Sequence, residues 1–426
     1  MRPIMSNNTG SKVASPRLKD LYQHLKHTSS SDICLLVGGP GAGKTSALKE
    51  LQRLVQDIDL VYAATTNAAA QALGGQTVHS LLGLPIRIED IPKDSVIQGI
   101  VTRLLDYVMS RSEKRVVAVV IDEAFILDAY VLDLICEGFT TANKLLNTQA
   151  LGTIKLVLCG DPAQLLAIGE EKFYKAKIFE DNLPSFELRG VFRQSSDTPL
   201  SKDWVEGINL YRTKGNPAGV IDWIKELYVT NTYKVLAPKL DFSPSSVLMK
   251  EPEGFTIAFS NEMVNGINLQ ILINHCKLHE VPLHQIYKIP QEGKSLYLAP
   301  GAPIVVTKND KALGVFNRQR GLVLEVEKEG STEHIITQIN DREVTFSHQI
   351  DTTVPLKLAY AGTVHMSQGG TYKHTQLLLS DQMKTPGAGL VGLTRHQSSI
   401  SIVGGTLSYL RCLLEGSIDS QALQYV

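Results

Sequence analysis

Ile33-Cys34-Leu35-Leu36-Val37 runs directly into Gly38-Gly39-Pro40-Gly41-Ala42-Gly43-Lys44-Thr45-Ser46, and this junction decides the fold. A short apolar run bounded by glycine reads as a strand buried on both faces of a parallel sheet. The stretch after it fits G-x-x-x-x-G-K-[ST]. Its glycines let backbone N–H groups close around phosphate oxygens, and the helix that starts there adds partial positive charge. Lys44 is placed to reach the β- and γ-phosphates and Thr45 to ligate Mg²⁺. Gly38, Gly39, Pro40, Gly41, Ala42, Gly43, Lys44, Thr45 and Ser46 are thus the expected cradle for ATP with Mg²⁺.

Working outward, residues 60–64, 116–121 and 154–159 repeat the short buried-strand pattern. Between them, Val96, Ile97, Ile100, Val101, Leu104, Leu105, Val108 and Met109 fall on one face of a helix. The strand at 116–121 ends in Asp122-Glu123, which suits nucleotide hydrolysis. Asp122 would hold Mg²⁺ and Glu123 would orient or deprotonate the attacking water. The second half, from residue 195, shows a buried strand at 255–259 and a helix at 264–272. Residues 322–326, 335–339 and 343–347 are strand-like, with Asn340-Asp341 as a tight turn between the last two. After Pro355 the buried-strand pattern returns at 377–379 and 400–403. The expectation is an α/β fold of two parallel-sheet lobes, 1–194 and 195–426. The first carries an insertion at 84–115 and the second a small all-β, barrel-like insertion at 301–353.

Composition narrows the partners. The 426 residues hold 42 Lys+Arg against 43 Asp+Glu, net charge −1. That excludes a polycation coating nucleic acid by bulk charge and leaves room for a local basic groove. Between Gly301 and Arg320, Lys308, Lys311, Arg318 and Arg320 face only Asp310, and read either as a strand-binding rim or as a solvated basic face. The cysteines (Cys34, Cys136, Cys159, Cys276, Cys412) form no C-x-x-C pair, which points to reduced core thiols and a cytoplasmic location, host cytoplasm if the protein is viral. No apolar run approaches the ~20 residues that span a bilayer, and the first residues lack a signal-peptide pattern, so no membrane partner is expected. No internal repeat or long low-complexity segment stands out.

A phosphate loop and a carboxylate pair fit kinases, GTPases and motors alike; further motifs separate them. Cys159-Gly160-Asp161-Pro162-Ala163-Gln164-Leu165 follows the third strand and Phe192-Arg193-Gln194 comes shortly after. Far downstream lie Gly362-Thr363-Val364-His365-Met366-Ser367-Gln368-Gly369-Gly370-Thr371 and Gly392-Leu393-Thr394-Arg395-His396. As a set and in this order they resemble the superfamily 1 helicases, over nearly the whole chain. Ala64-Thr65-Thr66-Asn67-Ala68-Ala69-Ala70, Thr77-Val78-His79-Ser80-Leu81-Leu82-Gly83, Phe259-Ser260-Asn261 and Leu298-Ala299-Pro300-Gly301-Ala302-Pro303 resemble the RecD-like and Dda-like superfamily 1B members of compact phage type. Two positions depart: Asn67 stands where glycine is usual and Met366 where a basic residue is common. Asp122-Glu123-Ala124-Phe125 and Thr394-Arg395-His396 also resemble viral RNA helicases, so RNA stays open as a substrate.

The resemblance implies two RecA-like lobes closing on ATP, with movement 5′→3′ on single-stranded DNA and unwinding of duplex. It implies catalytic roles for Lys44, Glu123, Gln164, Arg193 and Arg395, the arginines acting as fingers, with Gln368 sensing the γ-phosphate or water. Thr66, Asn67, Thr77, His79, Ser80, Thr363 and His365 would touch the strand, through hydroxyls and imidazoles that need not read bases. A separation pin is expected within 84–115. The expected state is a monomer, with replication or recombination proteins as partners. An ATPase that displaces proteins without unwinding is the alternative from another class.

Overall fold

A computed structural model gives the structure of residues 16–27, 32–85, 87–110, 116–165, 171–189, 199–215, 218, 220, 235–236, 254–291, 294–350, 352–379, 387–403, 414 and 421–425. In the first lobe, β1 (Ile33–Gly38), β2 (Asp59–Ala64), β3 (Gln76–Thr77), β4 (Val116–Asp122), β5 (Thr153–Gly160) and β6 (Ser185–Leu188) form one sheet. Its order is β3-β2-β4-β5-β1-β6, and every pair is parallel. β1, β4 and β5 are buried along their whole length. Successive side chains point to opposite faces. Leu35, Val37, Val117, Val119 and Ile121 therefore join one core, and Cys34, Leu36, Val116, Ala118 and Val120 the other. Val37 pairs with Gly160 and Ala64 with Asp122, so the ends of β1, β2, β4 and β5 share one edge. Ligands of open parallel sheets bind at such an edge.

The second half begins with the helix Pro199–Lys214, followed by β7 (Val235–Leu236), β8 (Gly254–Ala258) and the helix Asn261–Leu278. A hairpin follows, β9 (Tyr287–Gln291) with β10 (Lys294–Leu298). Next come β11 (Pro303–Val306), β12 (Arg320–Glu329), β13 (Thr332–Ile339), β14 (Arg342–Gln349) and β15 (Leu356–Leu358). Asn340 and Asp341 both have positive φ, 47° and 60°, as a two-residue turn between right-twisted strands demands. This antiparallel sheet runs β14-β13-β12-β11-β15. β14 and β15 sit at opposite ends and do not pair among the described residues, so an open sheet stands where the sequence suggested something barrel-like.

The chain then returns to the second lobe with β16 (Ala361–Thr363), β17 (Tyr372–Leu378) and β18 (His396–Val403), giving the order β16-β8-β17-β18-β7. All its pairs are parallel.

The lobes interlock. Ala163 and Leu165, just past β5, are buried in the second lobe's core with Tyr211, Phe255, Leu377 and Leu390. In return, Ala422 is buried in the first lobe's core, and the Tyr425 ring lies 5.0 Å from that of Phe179. Residues 84–110 form a 3₁₀ turn, Ile88–Asp90, and the helix Lys93–Ser110. That helix buries Val96, Ile97, Ile100, Val101, Leu104 and Val108 of the face its periodicity foretold, while Leu105 is half-buried and Met109, at the helix end, is exposed. Its neighbour Ala129–Thr148 comes so near that a Cβ on Gly138 would stand 2.6 Å from Ile100 Cγ2. No described helix is long and apolar enough to cross a membrane.

Candidate active site and strand track

The phosphate loop leaves β1 and turns through Gly41 and Gly43, at φ 72° and 76°, which only glycine adopts at little cost. Lys44 opens the helix Lys44–Leu54, and its Nζ donates to Gly38 O (2.7 Å) and Gly39 O (3.3 Å). Over the loop lies a cleft of about 280 Å³. Pro40, Gly41, Ala42, Gly43, Lys44, Thr45, Ser46, Asp122, Glu123 and Gln164 line it from the first-lobe motifs, and Gly369, Thr371, Arg395 and Gln397 from the second lobe. Gly38 and Gly39 form the base of the loop rather than the cleft wall. Gln368 precedes Gly369 without lining the cleft, and its buried Nε2 has no hydrogen-bond partner. Arg193 falls outside the described residues.

Asp122 closes β4 and is 4% exposed. Burial chiefly, and then the Glu123 charge, push its carboxyl up to about 6, against the pull of the Lys44 ammonium. Its Oδ1 accepts from Glu123 N at 3.0 Å. Glu123 has φ 55°, a left-handed backbone that is uncommon for a side-chain-bearing residue and recurs at functional sites. A hydroxyl (Thr45) and a buried, charge-hungry carboxylate (Asp122) thus share one wall with the phosphate loop. Hard oxygen donors of this kind fit Mg²⁺ alongside phosphates.

The closing side is a buried chain of polar contacts. Arg395, 1% exposed, donates Nε to Val391 O (3.1 Å) and Nη2 to Thr394 Oγ1 (3.0 Å) and Gln164 Oε1 (3.4 Å). Gln164 donates Nε2 to Asp161 Oδ2 at 3.0 Å. Asp161 Oδ1 accepts from Ala163 N (3.2 Å) and from Arg212 Nε (3.0 Å). Asp161 and Arg212 were not among the expected site residues. Arg212 sits outside every motif, and only a lone arginine beside the apolar Ile208 and Tyr211 hinted at it. Gly387, at φ 78°, comes so close that a Cβ there would stand 2.2 Å from Gln164 O. It begins the helix Ala388–Leu393, which delivers Arg395.

The expected strand residues sit at sheet edges in two matching places. In the first lobe β3 ends at Thr77, whose Oγ1 accepts from Ser80 N (3.2 Å) and caps the helix Val78–Leu82. In the second lobe β16 ends at Thr363, whose Oγ1 accepts from Met366 N (3.2 Å) and caps Val364–Ser367. Thr-Val-His stands at both, Thr77-Val78-His79 and Thr363-Val364-His365, a repeat that a search for long repeats passes over. Beside them Thr66, just past the end of β2, caps Asn67–Ala72 through Ala69 N. Ser260, just past the end of β8, caps Asn261–Leu278 through Met263 N. A capping hydroxyl spends its oxygen on the helix and keeps its O–H free to donate.

His365 Nε2 is buried without a partner, and burial, followed by the Arg318 charge, lowers the ring's proton affinity. Asn67 Nδ2 donates to Asn309 Oδ1 (3.0 Å) and Gln319 Nε2 to Gln71 Oε1 (3.1 Å), so the insertion touches the first lobe here. Arg320 is not a rim residue. Its guanidinium lies 4.6 Å from the Phe255 ring centre and 5.1 Å from that of Tyr372, and donates to Ala359 O at 2.7 Å. Cation–aromatic contact of this kind is attractive and holds the half-buried guanidinium against the two rings.

Fold and cleft together define a two-lobed P-loop protein with RecA-like parallel sheets. Comparison with known proteins places it more narrowly. The AAA domain family matches residues 19–226, and the viral superfamily 1 RNA helicase core domain family matches 294–404. The chain is 25% identical over 409 residues to a probable conjugal transfer protein TraA of Sinorhizobium fredii, covering 91% of this chain and 32% of that one. It is 25% identical to the ATP-dependent DNA helicase Pif1 of Bdellovibrio bacteriovorus, covering 87% and 83%. It thus spans about a third of the transfer protein's length and most of the Bdellovibrio helicase's. The Bacteroides Pif1 helicase, in its crystal structure with ADP-AlF3 and single-stranded DNA, superposes with a TM-score of 0.65 at 20% identity, covering 97% and 96%. The chain is thus similar in sequence to Pif1 helicases and shares their fold.

Proposed function

We propose that this protein is an ATP-dependent DNA helicase that moves 5′→3′ on single-stranded DNA and unwinds duplex, in the RecD-like and Dda-like manner of superfamily 1B. The observation that carries the reading is that Arg395, from the second lobe, lines the same cleft as Lys44, Glu123 and Gln164 from the first. A site built from two lobes is complete only when they meet. Hydrolysis can therefore be tied to lobe motion, and lobe motion to travel along a strand held by both.

Lys44 exchanges the Gly38 and Gly39 carbonyls for phosphate oxygens. Thr45 and Asp122 would hold Mg²⁺, which would neutralise phosphate charge. Glu123 takes the proton of the attacking water. Gln164 and Gln368 distinguish ATP from ADP as neutral amides, and Arg395, with Arg193, neutralises charge growing on the γ-phosphate. Such fingers are worth ~10³–10⁵ in turnover. Thr66, Asn67, Thr77, His79 and Ser80 hold the strand on one lobe, Thr363 and His365 on the other. The hydroxyl O–H donors suit phosphate and sugar oxygens, so binding is blind to sequence.

The test is strand displacement on duplexes with a 5′ or a 3′ single-stranded DNA tail, with a 5′-tailed RNA duplex alongside, in ATP and Mg²⁺. Unwinding of the 5′-tailed DNA alone is expected. Hydrolysis without displacement of any duplex would favour a translocase that clears proteins, and preference for the RNA would favour the viral-type reading.

A further inference from the structure

We propose that Arg212 is a positioning residue for ATP hydrolysis: through Asp161 and Gln164 it fixes Arg395, and so ties the phosphate loop to the second lobe's finger. The inference rests on the functional reading above. Arg212 does not line the cleft and touches no reacting atom.

Its side chain is 3% exposed and that of Asp161 is fully buried. A buried ion pair is a poor stability device, since well-packed apolar residues often do as well. Its presence here calls for another role, and the geometry supplies one. Arg212 Nε and Ala163 N hold Asp161 Oδ1, at 3.0 and 3.2 Å, leaving Oδ2 for Gln164 Nε2 at 3.0 Å. With the donor end of the Gln164 amide engaged, its Oε1 must face the other way, toward Arg395 Nη2 at 3.4 Å. An amide that is free to flip would present its NH₂ to the guanidinium instead and repel it.

The same arginine also lies against the phosphate loop. A Cβ on Gly39 would stand 3.1 Å from Arg212 Cδ and Nε, so glycine there makes room for it. Glu187, on β6 beside β1, lies 3.8 Å from Nη1, and Nη2 is buried with no partner. One side chain thus contacts the loop that holds the phosphates and the carboxylate that orients the glutamine. Its backbone belongs to the helix Pro199–Lys214, whose neighbouring Tyr211 is buried in the second lobe's core.

The test uses the full chain with ATP, Mg²⁺ and single-stranded DNA. ATP hydrolysis is followed for Arg212→Met, Arg212→Lys and Asp161→Asn, each alone and the first also with Arg395→Ala; binding of a fluorescent ADP analogue and thermal melting are recorded in parallel. Arg212→Met should lose at least about tenfold in DNA-stimulated kcat, while KM for ATP and analogue affinity stay within about threefold, because the missing interaction is felt in the transition state. Arg212→Lys, whose ammonium still reaches Asp161, should keep kcat within about threefold. Arg212→Met should add less than about twofold to the loss in Arg395→Ala, since both changes break one chain of contacts. Asp161→Asn approaches the link from the other side and should also lower stimulated kcat.

Folded Arg212→Met or Asp161→Asn protein with wild-type stimulated kcat, or losses that multiply with Arg395→Ala, would overturn the proposal. If both variants fail to fold, Arg212 is a folding residue and the proposal falls as well. Wild-type protein without DNA-stimulated hydrolysis would instead end the functional reading, and this inference with it.

Discussion

Arg395 Nη2 donates to Gln164 Oε1 at 3.4 Å, although the two residues are 231 positions apart and come from different lobes. Both are buried, and both line the cleft over the phosphate loop. A contact of this kind exists only while the lobes stand together, and in the proposed function it is the joint at which hydrolysis is coupled to motion.

Glu123→Gln should bind ATP and single-stranded DNA as wild type does and hydrolyse ATP at least about a hundredfold more slowly, as loss of a general base predicts. The amide keeps the size of the side chain and its left-handed backbone, but is a far weaker base. Steady-state ATPase measured beside nucleotide binding checks this. Near-normal turnover would remove Glu123 from the chemistry.

Asp122 gives a pH dependence whose sign can be worked out. Its carboxyl sits at about 6 against an ordinary 3.8, so between those values the folded protein holds a proton that the unfolded chain has lost. Stability from this group therefore falls as pH rises from about 4 to 6 and is flat above, a change of about 3 kcal/mol at most. Asp122→Asn cannot ionise. Without nucleotide or metal it should melt higher than wild type at pH 8, and the difference should vanish near pH 4. Equal melting temperatures at both pH values would contradict the assignment.

Gly387→Ala tests the docking of the helix that carries Arg395. The added Cβ would stand 2.2 Å from Gln164 O, on a backbone at φ 78°. Such a close approach must shift the helix. DNA-stimulated hydrolysis should fall at least about tenfold, with ATP binding by the first lobe kept, since a displacement near 1 Å can cost ~10² in rate. Stimulated ATPase and nucleotide affinity read the two effects separately.

The sequence was most legible where function is local. The phosphate loop and Asp122-Glu123 each follow an uninterrupted apolar strand, and β1 and β4 are buried over their whole length, as those runs foretold. Asn340-Asp341 likewise marked its own turn through residues that tolerate positive φ. What stayed hidden depends on how two sheets face each other. Arg212 meets Asp161 across 51 positions with no motif of its own. Gly387 is one glycine among 33 until Gln164 O is seen beside it. Arg320 sits in a basic stretch, and charge counting cannot tell that Phe255 and Tyr372 draw it inward. The open β insertion shows the same limit, because strands can be read one by one while closure depends on which edges meet.

The most direct test of the account is the ATPase rate of Arg395→Ala against single-stranded DNA concentration, with nucleotide and strand binding measured separately. The first lobe carries the phosphate loop, so ATP affinity should stay within about tenfold, and DNA binding without nucleotide should be nearly unchanged. The DNA-stimulated part of turnover should disappear, because charge on the γ-phosphate goes unneutralised in the transition state. Normal DNA stimulation in Arg395→Ala would contradict the two-lobe motor and leave a phosphate-loop ATPase confined to the first lobe.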